Sequence, residues 1–288
     1  MTQLNNELGT VPEKTRAKMT PHEEDIQDTA QPAAEKNGTR GTSPDRDHTG
    51  PPEHGNRQLE LKVVEIEDHY QRGITLAREG NLEQAIEEYH LVLERDPTHV
   101  KAHNNLGVIY DKIGDFSKAV EEYKRALNID PSNVEVHYNL GAAYGERGMY
   151  ELAEREFRRA LEINPQSAEA HYNLGVAFVK KGLYEKAIDE FKRVLSLDPN
   201  YHQSYYHLAH SYNQKGMFDN AIDIYEKLLR IQPNNGKVYW QLGVLYDRKR
   251  MSERAQQMYK KANELMQTVV KNQKPRKNRP VRDKDKNL

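Results

Sequence analysis

Small and apolar residues recur along this chain with a period of 34 residues, from residue 66 to residue 269. Counted from the first residue of each period, position twenty is always alanine and position twenty-four is always aromatic. Position eight is glycine except in the fifth period, where it is Ala209. A fixed period of this length indicates an array of small structural repeats. Six repeats follow one another without gaps: 66–99, 100–133, 134–167, 168–201, 202–235 and 236–269.

The apolar positions predict two helices in each repeat. Positions seven, eight and eleven share one face of a first helix, and positions twenty, twenty-four and twenty-seven share one face of a second. In the first five repeats, a glycine at position fifteen separates the two helices and a proline at position thirty-two ends the second. The pattern therefore predicts an all-α fold built from six helix-turn-helix units.

This combination of period and marker residues resembles the tetratricopeptide repeat (TPR) family over residues 66–269. The resemblance implies a right-handed α-solenoid of six helix-turn-helix TPR units whose first helices line a concave groove. Upstream, the segment LELKVVEI at 59–66 is expected to extend the first helix. The predicted superhelix therefore covers 59–270.

The composition changes on both sides of the array. Apart from Met1, residues 1–58 hold only five large apolar side chains, so they cannot bury enough apolar surface to offset the entropy of ordering. The segment 271–288 carries eight lysines and arginines against two aspartates and almost no apolar residues. Both ends are predicted to be disordered tails, and the second of them is basic.

The resemblance places positions five and six of each first helix in the groove. Position six can both donate and accept hydrogen bonds in every repeat, and position five is aromatic in five of the six. First helices about 8–10 Å apart would bring one such pair to about every third residue of an extended peptide. The predicted peptide-binding groove consists of Tyr70, Gln71, Asn104, Asn105, Tyr138, Asn139, Tyr172, Asn173, Tyr206, His207, Trp240 and Gln241.

Such a row is similar to the asparagine ladder in the TPR arrays of O-linked N-acetylglucosamine transferases, which holds the substrate backbone. Two alternatives stay open: the position-six amides brace neighbouring repeats, and the position-five tyrosines pack between helices. The carboxylate clamp of chaperone-binding TPR proteins is disfavoured, because it needs lysine at position five and arginine at position six.

Position four holds histidine in the first four repeats and tyrosine in the last two: His69, His103, His137, His171, Tyr205 and Tyr239. Metal ligands must lie about 2.0–2.1 Å from one ion, so residues on helices about 8–10 Å apart cannot share it. Packing is the better interpretation of this column. The chain has no cysteine and no phosphate-loop, metalloprotease or nucleophile-elbow motif. We expect no enzymatic activity, no cofactor and no metal.

The sequence thus predicts a non-catalytic scaffold or adaptor that binds an extended or disordered protein segment in the groove. One alternative is self-assembly through the apolar residues Leu265, Met266, Val269 and Val270 of the last repeat. Another is an accessory factor whose basic tail contacts nucleic acid or an anionic surface, weakly and non-specifically. No leader pattern and no run of eighteen apolar residues occurs, so a cytoplasmic location without a membrane span is expected.

Overall fold

The computed structural model describes residues 53–273, with side chains from 62 to 267. Twelve α-helices, and no strand, occupy these described residues. The predicted all-α fold of six helix pairs is confirmed. The chain divides into two compact units, Met1–Arg147 and Gly148–Leu288.

The N-terminal unit contains five described helices, in which α1 packs against α2, α2 against α3, α3 against α4 and α4 against α5. Each turn between the helices of a pair is tight: Gly114, between α3 and α4, adopts a φ of +89°. The five helices are α1 (Glu53–Glu79), α2 (Leu82–Arg95), α3 (Val100–Ile113), α4 (Phe116–Ile129) and α5 (Val134–Glu146).

The C-terminal unit continues the same pattern with α7 against α8, α9 against α10, and α11 against α12. At the turn of the last repeat, Arg250 adopts a φ of 57° where the other repeats have glycine. The helices of this unit are α6 (Tyr150–Ile163), α7 (Ala168–Lys180), α8 (Tyr184–Leu197), α9 (His202–Gln214), α10 (Phe218–Ile231), α11 (Gly236–Arg248) and α12 (Ser252–Gln273).

The glycine at position eight and the ring at position twenty-four explain how the two helices of a pair approach so closely. A Cβ placed on Gly107 would lie 2.6 Å from Cε1 of Tyr123, and one on Gly175 would lie 2.7 Å from Cε1 of Phe191. Both rings are buried. The missing side chain therefore leaves the space that the aromatic ring of the second helix fills.

Both ends of the array extend past the predicted limits of 59 and 270. The first helix begins at Glu53, directly after two prolines, which a helix interior does not tolerate. The last helix continues to Gln273. The remainder of the predicted tails, 1–52 and 274–288, lies outside the described residues. On α12, Leu265 is half-buried and Met266 is 40% exposed, whereas the side chains at 269 and 270 are not described.

Candidate functional site

The twelve candidate groove residues lie on the first helices α1, α3, α5, α7, α9 and α11, but they are exposed unequally. Gln71 is exposed, and the half-buried residues are Tyr70, Tyr206, His207, Trp240 and Gln241. The other six are buried: Asn104, Asn105, Tyr138, Asn139, Tyr172 and Asn173.

In the N-terminal unit, the carboxamide of Asn105 joins two tyrosines of the preceding repeat. Its Nδ2 donates to the hydroxyl of Tyr89 at 3.1 Å and to that of Tyr70 at 3.3 Å. The two tyrosine rings lie 5.9 Å apart. Burial, the largest contribution, raises the pKa of Tyr70 to about 12, so its hydroxyl stays protonated at neutral pH. Both N–H groups of Asn105 are thus used within the protein.

A second chain of amide contacts links α3 to α5. Nδ2 of Asn139 donates to Oδ1 of Asn104 at 3.0 Å, and Nδ2 of Asn104 donates to Oε1 of Glu135 at 3.1 Å. Asn104 and Asn139 are 4% and 6% exposed, which makes these contacts costly to break. Such contacts between successive repeats are the bracing that the sequence left open as an alternative to a ligand ladder.

In the C-terminal unit, position six of the fifth repeat is His207, and rings surround it. Its imidazole stacks on Phe191 at 5.6 Å with 24° between the planes, and lies 5.7 Å from Tyr172. Burial, followed by the nearby His210 and Lys180, lowers the pKa of His207 to about 4. Position twenty-four of the preceding repeat is Phe191, which has no hydroxyl group for a hydrogen bond. In this repeat, the position-six side chain packs as a ring against the ring of the preceding repeat.

Two half-buried aromatic side chains mark the first helices of the last two repeats. Tyr206 packs on Tyr225 with ring centroids 5.6 Å apart, and Trp240 packs on Tyr259 at 4.9 Å. The two first helices are joined directly, because Nη1 of Arg248 on α11 donates to Oδ1 of Asn213 on α9 at 2.9 Å. Each of these two half-buried rings thus packs against a tyrosine ring on the second helix of its own repeat.

The histidines at position four are structural, as the packing interpretation expected, and they also form polar contacts. Nδ1 of His103 lies 2.6 Å from Oε2 of Glu122, and Nε2 lies 3.2 Å from the carbonyl oxygen of Pro97. His171 repeats both contacts, with Glu190 at 2.6 Å and the Pro165 carbonyl at 3.1 Å. Each such histidine ties a first helix to the second helix of its own repeat and to the end of the preceding repeat.

Sequence analysis missed the acidic partners, although a signal for them is present. Position twenty-three is glutamate in the four repeats that have histidine at position four. In the two repeats with tyrosine there, position twenty-three is Ile224 or Met258. Tyr205 retains the contact to the preceding repeat, because its hydroxyl donates to the carbonyl oxygen of Pro199 at 3.2 Å. The two positions change together because a buried carboxylate requires its partner.

Neither a metal centre nor a membrane-spanning helix is found among the residues that the structure describes. No group of three or more His, Asp or Glu side chains there is placed to hold a metal ion. No described helix is long and apolar enough to cross a membrane.

Four tetratricopeptide repeat profiles match the chain, and together they cover residues 69–266. One of them, described as TPR repeat, matches 112–148. Those described as tetratricopeptide repeat match 138–202, 91–121, and the three segments 69–99, 202–235 and 236–266. The chain belongs to the tetratricopeptide repeat family, and its fold is that of a protein-interaction scaffold.

Solved structures show the same fold. A crystal structure of MamA is 33% identical, with a TM-score of 0.56, and the match covers 58% of this chain and 97% of that one. YrrB, described as a TPR protein with an unusual peptide-binding site, is 22% identical, with a TM-score of 0.56 over 65% of this chain and 98% of its own. Pseudomonas aeruginosa pilF is 22% identical, with a TM-score of 0.59 over 73% and 99%. A search of curated protein sequences finds no match.

Proposed function

We propose that this protein is a non-catalytic scaffold that binds an extended segment of a partner protein along its first helices. The proposal rests on one observation: Tyr206 and Trp240 are half-exposed on neighbouring first helices, each next to a side chain that can form hydrogen bonds. Aromatic residues supply large contact areas at a low cost in conformational entropy. The peptide-binding site of YrrB supports the proposal only through the shared fold.

The twelve candidate residues then divide into two roles. The six buried ones brace the repeats; this assignment is supported by the side-chain N–H groups of Asn105 and Asn139, which donate to other side chains of the protein. Six are accessible, and the four in the C-terminal unit contact the partner: Tyr206, His207, Trp240 and Gln241; the other two, Tyr70 and Gln71, belong to the N-terminal unit. The binding surface is therefore centred on repeats five and six and does not run evenly along the array.

The expected affinity is modest. Two aromatic anchors contribute about 2 kcal/mol each, and a few hydrogen bonds contribute about 1 kcal/mol each. Apolar contacts along the remaining surface must offset association costs of about 4–15 kcal/mol. We therefore expect dissociation constants of about 1 μM, as is common for short segments of this kind.

Selection from an unbiased library of short unstructured peptides tests the proposal. Selected peptides are expected to bind the double variant Tyr206→Ala, Trp240→Ala at least tenfold more weakly than the wild type. Tyr184→Ala is the matched control, because Tyr184 is also half-buried but lies at the start of the second helix α8. Equal loss in the control, or no loss in the folded double variant, would contradict the proposed surface.

Self-assembly is the second candidate, favoured by the exposure of Met266 on the last described helix. A second copy packing there would cover this side chain and Leu265 beside it. Sedimentation over a concentration series is expected to show a dimer or larger species that Met266→Lys weakens. A strict monomer at high concentration would exclude this candidate.

A further inference from the structure

In two repeats, position thirty-four, the last residue of the repeat, places a ring against the position-five tyrosine. In repeat one, the ring of His99 lies 4.9 Å from the ring of Tyr70. In repeat four, the ring of Tyr201 lies 5.0 Å from the ring of Tyr172. Repeat five has the same tyrosine at position five, Tyr206, but its position thirty-four is Asn235.

A cavity of about 200 Å³ lies beside Tyr206, next to this smaller residue. It opens between the N-terminal turn of α9, the C-terminal end of α10 and the residue that caps α11. Its lining residues are His202, Gln203, Tyr206 and His207 from α9, Leu228 from α10, and Gln232 and Asn235, which cap the end of α10 and the start of α11. An engineered apolar cavity of about 150 Å³ accepts benzene, so this space is large enough for one aromatic ring.

The polar part of the wall is held in place by the protein. Oδ1 of Asn235 accepts from the backbone N–H of Val238 at 3.2 Å, and Nδ2 of Asn235 donates to Oε1 of Gln232 at 2.9 Å. The amide edge is thus preorganised on one side of the cavity, whereas Leu228, only 1% exposed, supplies an apolar floor.

The chemistry of the wall favours an uncharged ring over other side chains. None of the lining residues is Asp, Glu, Lys or Arg, so a charged side chain entering the cavity would lose water without gaining an ionic partner. Three carboxamides, from Gln203, Gln232 and Asn235, can accept from or donate to a phenolic hydroxyl. The chain itself places a ring against the position-five tyrosine in two other repeats.

We propose that the cavity beside Tyr206 binds one aromatic side chain of the partner segment, tyrosine in preference to leucine. This inference rests on the proposed function and names the chemistry of the partner residue. The bound ring lies against Tyr206 as His99 lies against Tyr70, and the tyrosine hydroxyl meets the carboxamide edge. Repeat five thereby turns a position that is closed within the array into a specificity pocket.

Asn235→His is the variant that closes the pocket with least damage. The equivalent His99 both covers Tyr70 and caps its helix, because its Nδ1 accepts from the backbone N–H of Ala102 at 3.1 Å. The substitution therefore supplies a ring and keeps the cap. The reverse variant, Tyr201→Asn, removes the ring that covers Tyr172 and supplies a side chain that caps helices elsewhere in the chain.

The test uses N-acetyl-tyrosinamide and N-acetyl-leucinamide as probes, titrated into the full chain and followed by NMR of the side-chain amides. The tyrosine probe is expected to shift the wild-type amides saturably and to bind at least fivefold more tightly than the leucine probe. Asn235→His is expected to weaken the binding of the tyrosine probe at least tenfold. Tyr201→Asn is expected to add a second, similar site, which keeps the test decisive if Asn235→His does not fold.

Equal binding of the two probes, or unchanged tyrosine binding by folded Asn235→His, would overturn the inference. The failure of the inference and that of the proposed function are distinguishable with the selected peptides. Peptides that bind Asn235→His as tightly as the wild type, yet lose affinity for Tyr206→Ala, Trp240→Ala, overturn the pocket and leave the scaffold function standing. Peptides that lose affinity at least tenfold for both variants support the pocket.

Discussion

The carboxamide nitrogen of Asn105 lies 3.1 Å from the hydroxyl of Tyr89, across the boundary between the first two repeats. Tyr89 is fully buried, and Asn105 is 7% exposed. Asn105 therefore satisfies a hydroxyl that has no access to water. This contact places an amide of the predicted ligand row inside the structure and makes it part of the packing between repeats.

Removal of this amide is expected to destabilise the array. Asn105→Ala leaves the Tyr89 hydroxyl buried without this partner, which costs about 1–3 kcal/mol in the free energy of unfolding. Tyr89→Phe removes the hydroxyl instead, and repeats three and four carry phenylalanine at this position. Urea denaturation of both single variants and the double variant should show a coupling of about 1 kcal/mol. Additive effects would contradict a direct interaction.

The buried pair of His103 and Glu122 gives a second prediction, because the chain also contains its replacement. His103→Tyr leaves the Glu122 carboxylate without its histidine, and Glu122→Ile does the reverse; each should cost about 3 kcal/mol. The double variant reproduces Tyr205 and Ile224 of repeat five. Its stability, measured by urea denaturation, is expected to exceed that of either single variant. A double variant as unstable as the sum of the two would contradict the pairing.

The glycine at position eight gives a third prediction. Gly107→Ala brings a Cβ to 2.6 Å from the buried Tyr123 ring, and overpacking of this kind costs about 1–3 kcal/mol. Gly114→Ala is the comparison. An added Cβ there would have no atom within 4 Å apart from its chain neighbours, but φ is +89°. The loss of stability, about 1 kcal/mol, therefore comes from the backbone conformation alone. The aromatic near-ultraviolet circular dichroism should change only in Gly107→Ala. An unaltered spectrum there would show that the ring does not move.

The stability of the C-terminal unit is expected to fall in mild acid. His207 has a pKa of about 4 in the folded protein against an ordinary value of 6.5, so the unfolded chain binds the proton more readily between these values. Above pH 6.5 both states are neutral and the effect is absent. From 6.5 down to about 4 the folded state loses stability, by about 3 kcal/mol in total.

His207→Phe tests this pH dependence, because phenylalanine keeps a ring against Phe191 but does not bind a proton. Chemical denaturation at several pH values should show that the free energy of unfolding falls less steeply with decreasing pH in the variant than in the wild type. Some slope is expected to remain, since burial and Lys180 also lower the pKa of His210. A variant with the same slope as the wild type would exclude His207 as the source.

The two-helix repeat could be predicted because each of its signals is local. Gly107 and Tyr123 show why: the missing Cβ and the ring lie within one repeat, and the same pair recurs sixteen positions apart in every unit except the fifth, which has Ala209. The histidine and glutamate of positions four and twenty-three are equally local and could have been found from the way they change together. The turn glycines and the prolines that end the second helices act through the backbone conformation of the residue itself, so they can be recognised from residue type alone.

Exposure of the candidate site could not be predicted, because it depends on what the neighbouring repeat offers. Asn105 is buried against Tyr70 and Tyr89, to which it donates hydrogen bonds, and His207 is half-buried with its ring stacked on Phe191. Tyr206 borders a cavity lined by Asn235, whereas rings stand at the same position of repeats one and four, against Tyr70 and Tyr172. Three residues with nearly the same place in the repeat thus have different surroundings.

By itself, the sequence determined the family, the number of repeats and the faces that pair within each repeat, since a 34-residue period and its marker residues encode packing inside one unit. Only the tertiary structure decided which groups of the repeated row are available to a partner. Availability depends on the residues that fill the space where two repeats meet, and those residues vary from one boundary to the next.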